Sequence, residues 1–457
     1  MLNLNNHYTY LKKELLWRFI NFLYRDGKRS AINRIPYEMI STTENSRRCC
    51  VYKDREMIKF RLLAQMGYRF TDDFDESYTL QEYYDRTDKT KAADLPVLTV
   101  IKAACSSCRK SQYHVTELCK GCLARPCQSL CPRDAMTMKS GRAVIDLDKC
   151  INCGKCKTSC PYGAIVYTPV PCEEVCPVGA IEQNDGSSIA ISNEKCISCG
   201  KCTRSCPFGA IVERSHILPL VKSLKEKDDM TLLLAPSIVN QLPGTMSQIK
   251  SALSDLGFTA IYELAESAQI VAESESDELL ERKSEGHSFM TTSCCPAYME
   301  TIEKHIPELK PFVSHTDSPM VTGGKIIKEE NRHKKTVFAG PCMAKKVEAF
   351  NSEYIDYVIN FEELGALLMS REIEINDYPH KEEECDLTVG LGFATSGGVA
   401  KAVEHYSSEP IRSVSIDGIT GKSMNLLRSF LKRAPGGDLV EVMACEGGCE
   451  KGPCTLC

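Results

Sequence analysis

The sequence predicts an α/β (α+β) domain with a site at its strand ends, preceded by a cysteine-dense metal-binding region and a small helical N-terminal region. Three observations predict it. Apolar, β-rich runs alternate with helical ones from residue 215 onward. Sixteen of the 26 cysteines of the 457-residue chain lie between Cys105 and Cys206. Residues 1–97 space their apolar side chains as helices do.

In the N-terminal region, Tyr10, Leu11, Leu15, Leu16, Phe19, Ile20 and Leu23 form one helical stripe. "DREMIKFRLLAQMG" (54–67) reads as a second amphipathic helix closed by Gly67. Between them Cys49 and Cys50 read as part-buried free thiols, and the polar, acidic stretch 71–94 reads as a linker. The first residues do not read as a signal peptide, because Arg18 interrupts their apolar run and no small-residue cleavage site follows. No stretch approaches the ~20 apolar residues that span a bilayer. A net charge of −5 and a pI near 6.1 give no reason to expect nucleic acid or an anionic membrane as partner. Disulfide scaffolds of such cysteine density are short and secreted. The expectation is therefore a cytoplasmic, reducing compartment in which the cysteines bind metal.

From 98 to 214 the cysteines carry a pattern. "CINCGKCKTSCP" (150–161) and "CISCGKCTRSCP" (196–207) are both C-x2-C-x2-C-x3-C-P, the bacterial ferredoxin run, and both are followed by "GAI" within a few residues. Three cysteines of such a run wrap one cubane and the fourth, before proline, ligates the other cluster of a pair. Zinc also takes C-x2-C pairs, but it does not need this triple spacing or the proline-flanked fourth cysteine. "CKGCLARPCQSLCP" (119–132) is the same run with two extra residues between its second and third cysteines. Paired with 150–161, the crossed rule gives one [4Fe-4S] cluster on Cys119, Cys122, Cys127 and Cys160, and its neighbour on Cys150, Cys153, Cys156 and Cys131. "CSSC" (105–108) and "CEEVCP" (172–177) complete a further run split by that whole module. Paired with 196–207, it gives a third cluster on Cys105, Cys108, Cys172 and Cys206, and a fourth on Cys196, Cys199, Cys202 and Cys176. One ferredoxin-like domain would then be nested in another. The alternative is that Cys105 and Cys108 are structural or hold a different metal.

From 215 to 457, "MTLLLAPS", "HSFMTTS", "KTVFAGP" and "DLVEVMA" read as strands, alternating with helical segments such as "AQIVAESESDELLERK". Three of the four run into cysteine, at Cys294/Cys295, Cys342 and Cys445. Ligands of open α/β sheets sit beyond the carboxyl ends of the strands, so these cysteines are placed to converge.

"TSCCPAY" (292–298), "GPCMAKKVE" (340–348) and "EVMACEGGCEKG" (441–452) resemble, in order, the three signature segments of [FeFe]-hydrogenases. The resemblance implies an H-cluster: a [4Fe-4S] cubane joined through one cysteine sulfur to a two-iron azadithiolate unit bearing CO and cyanide. By that resemblance Cys295, Cys342, Cys445 and Cys449 hold it, with Cys449 at the bridging position. Gly447 and Gly448 let a bulky group approach the backbone. Lys345 matches the lysine that donates to a cyanide, Glu348 the signature glutamate, and Cys294 the proton-donating cysteine. The blander reading of Cys294 is a small packed residue. Glu275, Glu278 and Arg282, on one helix face at i, i+3 and i+7, match the family's proton relay, and Ser318 its serine. Without the resemblance they read as a solvated charged face. Ala235 and Pro236 resemble a cofactor-lining strand end, and "GFATSGGV" (392–399) a glycine-rich segment packed nearby.

The sequence departs from the family at Gly340, where most members carry methionine, and at "KGPCTLC", where further glycines and a glutamine are usual and no C-terminal extension is expected. Cys385, Cys454 and Cys457 take no role from the resemblance. The family implies reversible interconversion of H₂ with protons and electrons, a ferredoxin-like electron partner and dedicated maturation proteins. The alternatives are an H₂-sensing relative and a non-catalytic, Narf-like iron–sulfur scaffold. The expected boundaries are a helical region at 1–97, nested ferredoxin-like domains at 98–214 and an H-cluster domain at 215–457.

Overall fold

A computed structural model describes residues 6–25, 27–42, 50–70, 75–106, 108, 111–184, 188–381 and 387–456; Cys49, Cys385 and Cys457 lie outside them. The chain divides into two compact units, one of residues 1–105 with 176–457 and one of residues 106–175.

The larger unit is built on two parallel sheets. In the first, the strands run in the order Ala260–Glu263, Met230–Leu234, Lys335–Gly340, Tyr357–Asn360. In the second the order is Met290–Thr291, Leu439–Met443, Ser413–Asp417. Met230–Leu234 and Leu439–Met443 are buried along their whole length. That follows from parallel pairing, which leaves both faces under helices and favours continuous apolar runs over alternation. The helices are well punctuated. Thr245 and Gln248 form a capping box on Met246–Leu256, which ends at Gly257 with φ +118°. Proline occupies the first turn of Pro296–His305 and Pro319–Glu330, where its missing N–H costs nothing.

The N-terminal region folds into this same core. Helix His7–Tyr24 is capped by Asn6 and buries Leu15, Leu16, Phe19, Ile20 and Leu23 in one cluster with Leu232, Leu233, Leu364 and Leu367. Lys12 pairs with Glu362 and, at 3.8 Å, with Glu213. Glu213 in turn meets the buried Lys346 at 3.4 Å. The stretch read as a linker contains a helix, Leu80–Arg86, started by a Thr79/Glu82 capping box and burying Leu80 and Tyr83. Two such side chains are enough to tie a seven-residue helix down, whatever the polarity around them. Among the described residues no helix is long and apolar enough to cross a membrane.

The smaller unit pairs the strands Gln112–Val115 with Ile165–Thr168, and Met136–Lys139 with Arg142–Ile145, both antiparallel. Its core is small: Cys127, Met136, Ala143 and Ile165, with other cysteines packed against them. A unit so thin in apolar residues leans on bound groups for stability.

Candidate functional site

Every strand named above that runs into a site residue does so at its carboxyl end. Ala235 follows Met230–Leu234, Cys342 follows Lys335–Gly340, Cys294 and Cys295 follow Met290–Thr291, and Cys445 follows Leu439–Met443. One cavity is lined by Ala235, Pro236, Cys294, Cys295, Cys342, Cys445 and Cys449, together with Lys345 and Cys199. Gly447 and Gly448 both sit at φ +84°, and a Cβ on Gly448 would lie 2.6 Å from the Ser396 nitrogen. Only glycine allows the turn that brings Cys449 back beside Cys445.

The sulfurs feel one another. Burial pushes the Cys342 thiol up to about 12; the Cys295 sulfur adds to this and the Lys345 ammonium opposes it. Cys449 also rises to about 12, through burial and then the Cys342 and Cys295 sulfurs. Cys445 is pushed well up by burial, Cys342, Cys449, Cys295 and Cys199. Lys345 donates to Glu348 at 2.6 Å and to Ser318 Oγ at 2.9 Å. Burial opposes its charge, but Glu348, with the Cys342 and Cys294 sulfurs adding, holds Lys345 above the usual lysine range.

The donor set tests which group fits. The described cavity lining holds six cysteines and a lysine but no carboxylate or imidazole among the residues touching the space. Soft thiolates alone select iron–sulfur clusters over hard cations. Among the described residues no three His, Cys, Asp or Glu side chains close to single-ion spacing. A cubane, which holds its ligands at separate corners, does not require them to. The residues fit a cluster.

Cys294 is buried, and its thiol is pushed well above the ordinary cysteine range by burial, then by Glu275, Cys295, Glu441 and Cys449. It therefore keeps its proton at neutral pH. Glu275, on helix Leu264–Ser284, is fully buried, and its carboxyl rises to about 7, chiefly through burial, with Glu278 adding to the shift and Ser293 opposing it. Its Oε1 accepts from Ser293 N at 3.2 Å and Ser293 Oγ at 3.3 Å, while Oε2 is buried without a partner. Glu278 accepts from Ser314 Oγ at 2.6 Å and His315 N at 2.9 Å, and pairs with Arg282 at 2.6 Å. Burial works against its charge, yet these donors hold it below the usual carboxylate range. Arg282 continues to the Val313 carbonyl at 2.9 Å and to the ring of His315, which is exposed. The groups thus step from Cys294 toward solvent.

The other cysteines gather as follows. In the larger unit, burial and Cys176 raise the Cys196 thiol, with the Ser198 N–H opposing. Cys199 rises to about 11 through burial, despite Lys201, with Cys196 and Cys176 adding. Cys202, the fourth member, is buried on the next helical turn. In the smaller unit, burial and the Cys122 and Cys160 sulfurs raise Cys127. Cys131 shares one cavity with Cys150, Cys153 and Cys156. The crossing of Cys131 and Cys160 is thus present. Cys131, Cys176 and Cys206 each accept an N–H from the residue four positions on, at 3.2–3.5 Å. Cys105 and Cys206 pack in one core of the larger unit, whereas Cys108 and Cys172 belong to the smaller.

Comparison with known proteins agrees with the cavity. Residues 228–453 match the iron only hydrogenase large subunit, C-terminal domain; 166–217 match the LdpA Fe-S cluster-binding domain; and 142–165 match a 4Fe-4S binding domain. Iron hydrogenase 1 of Clostridium pasteurianum is 25% identical over 80% of this chain and 74% of its own length. The NADP-reducing hydrogenase subunit HndD of Solidesulfovibrio fructosivorans is 26% identical over 68% of this chain, which spans 64% of that relative. A solved structure of HydA(deltaEFG), described as revealing stepwise [FeFe]-hydrogenase H-cluster assembly, is 23% identical over 50% of this chain and 80% of its own, with a TM-score of 0.43. The chain is a divergent [FeFe]-hydrogenase-like protein.

In this hydrogenase-like chain one expected residue is placed elsewhere. Ser318 caps helix Pro319–Glu330 and receives Lys345; the hydroxyl on the Glu278 carboxylate is that of Ser314, and the one on Glu275 is that of Ser293. Proline at 319 makes the preceding serine an N-cap, which commits its oxygen to the helix. Sequence reasoning also missed Glu441, which is fully buried and accepts from Gly397 N at 2.7 Å and Ala400 N at 2.8 Å. It pins the 392–399 segment, whose Phe393 and Ala394 line the cavity. An acidic residue inside an otherwise apolar strand was the available signal, since a buried carboxylate needs partners. Gly340 also has a physical account. A Cβ there would meet the Phe338 ring at 2.4 Å and Ala235 Cβ at 3.1 Å, so Phe338 takes the room that a side chain at 340 would need.

Proposed function

We propose that the chain is an [FeFe]-hydrogenase, an oxidoreductase that interconverts H₂ with two protons and two electrons. The reading is carried by one observation: four cysteines from three strand ends line a single cavity beside a fifth, Cys294, which is buried against Glu275. The H-cluster, when bound, supplies the metal centre at which protons and electrons combine. Cys295, Cys342, Cys445 and Cys449 would hold it. Lys345 presents its ammonium to anionic ligands and is kept charged by Glu348. Cys294 holds a proton at its sulfur and passes it inward, and Glu275, with a carboxyl near pH 7, replaces it. Ser293 holds Glu275 and Ser314 holds Glu278, and Arg282 and His315 lead outward. Leu264, Met320 and Phe338 exclude bulk water from the cavity.

Electrons would travel through four [4Fe-4S] clusters held by the cysteines of 105–206, and a ferredoxin-like carrier would exchange them with the chain. Cys199 serves this reading, since it lines the cavity and is close enough to raise Cys445. The domain limits 1–97, 98–214 and 215–457 are kept as functional divisions of the chain. Dedicated maturation proteins would install the two-iron unit. Infrared spectroscopy of anaerobically matured protein tests the whole. Bands of iron-bound CO and cyanide with H₂ turnover are expected. Their absence under working maturation sinks the reading in favour of a Narf-like scaffold, and bands with negligible turnover favour a sensor.

A further inference from the structure

The run 119–132 carries two more residues between its second and third cysteines than the runs 150–161 and 196–207. Hydrogenase chemistry gives those residues no task. In the structure the widened loop is Leu123-Ala124-Arg125-Pro126, and it stands on the surface. Leu123 is 96% exposed and Leu118, on the other side of Cys119, is 58% exposed. Arg125 sits at φ 45°, a left-handed conformation costly for a side chain of that size. A large apolar side chain held out in water by a strained loop is a feature that a bare cluster-binding loop does not need.

The charge around it is one-sided. Residues 106–175 carry ten Lys and Arg against six Asp and Glu, a net +4, while the whole chain has 56 against 61, so the remainder is −9. Lys120 and Arg125 in the loop are exposed, as are Lys139 and Arg142 on the neighbouring hairpin. The hairpin is close: a Cβ on Gly121 would lie 2.1 Å from the Gly141 carbonyl oxygen. The acidic group of this edge is Glu117, 3.3 Å from Arg142 in an exposed pair that salt screens readily. Cys119 and Cys122 lie within the same loop, so a cluster on Cys119, Cys122, Cys127 and Cys160 would sit directly behind this surface.

We propose that the Leu118–Arg125 edge is the docking surface for an acidic, low-potential one-electron carrier protein, with Leu123 as its apolar anchor and Lys120, Arg125, Lys139 and Arg142 as its basic rim. This rests on reading the cysteines of 119–160 as cluster ligands. One electron leaves the reduced carrier, which is oxidised by one, and enters the cluster behind the loop, which is reduced by one; no proton or bond moves. The basic rim steers encounter, and the negative remainder of the chain repels the same partner elsewhere.

The test uses anaerobic holoprotein and a purified acidic 2[4Fe-4S] ferredoxin, with equilibrium binding measured across a salt series. Binding that weakens steeply with salt is expected. Lys120→Glu with Arg125→Glu should raise Kd about tenfold at low salt and flatten the salt dependence. Leu123→Ser should weaken binding several-fold at every salt concentration. Lys139→Glu keeps the test open if the loop variants lose iron. Wild-type affinity in these variants overturns the proposal. So does equal binding of a basic cytochrome, binding of duplex DNA in place of the carrier, or salt-sensitive self-association of the chain that excludes the carrier. Methyl viologen separates the two readings. Loss of carrier binding with viologen-driven H₂ turnover intact in a variant supports the docking surface, whereas a wild-type holoprotein that binds the carrier but gives no turnover with viologen fails only the hydrogenase reading.

Discussion

Cys119 and Cys153 of the smaller unit and the cavity cysteines of the larger one live in different solvents. In the smaller unit Cys153 is exposed, and Cys119 is held below the ordinary thiol range by the N–H groups of Ala143 and Gly121, with little burial against it. In the cavity of the larger unit Cys342 and Cys449 are pushed up to about 12, and burial is the first cause for each. The difference teaches what each set is arranged for. Thiols near water suit clusters that trade electrons with outside partners. Thiols taken out of water are costly to ionise, so they ask for a guest whose positive iron replaces the lost hydration.

The largest expected effect breaks that contrast at its centre. Cys445→Ser should abolish H₂ turnover and the infrared bands of the cavity while leaving the electron paramagnetic signals of clusters in 106–175. If those signals vanish too, the two units are not independent as cluster sites. Next, Cys294→Ala should keep the bands and lower turnover by about 10²–10⁴-fold, as should Glu275→Gln to a lesser degree. Intact turnover in the cysteine variant would return Cys294 to a packing role.

Glu275 also sharpens the contrast through pH. Its carboxyl rises from the ordinary 4.5 to about 7 on folding, so between those values the folded chain binds the extra proton and stability falls as pH rises. The deficit is complete above pH 7 and is about 3 kcal/mol. Glu275→Gln should remove this slope, and denaturant titrations at pH 5 and pH 8 read it directly; parallel curves for both proteins would show that the carboxyl is not desolvated. Gly200→Val comes lower. A Cβ at φ +74° would lie 2.8 Å from Pro453 and 2.9 Å from Met343, so about 1–3 kcal/mol of overpacking is expected, with slower reduction of the cavity's cluster. Ser318→Ala should cost about 1 kcal/mol as a lost cap, read by thermal unfolding.

Much of the site was legible because its chemistry sits at strand ends. An apolar run followed by cysteine states both the element and where its cysteine stands, and Cys295, Cys342 and Cys445 alike follow their strands into one cavity. The crossed rule for the cysteine before proline set Cys131 beside the 150–156 cysteines and Cys160 beside Cys127, which is where they stand. Ser314 was not legible, because nothing in "SHTDSP" distinguishes its hydroxyl from that of Ser318 until the helix start claims the latter. Leu80–Arg86 was hidden by its polar surroundings, although "TLQE" already spelled a capping box. The Lys12, Glu213 and Lys346 contacts join residues hundreds of positions apart, and no local pattern announces them.

Lys345 is tied on one side to Glu348 and on the other to Ser318. An ammonium so engaged reaches an incoming anion already neutralised. The newcomer shares a triad instead of meeting a bare cation, so the attraction it feels is moderate. In return the pocket wall is braced by contacts between the chain's own side chains, which need no guest to form.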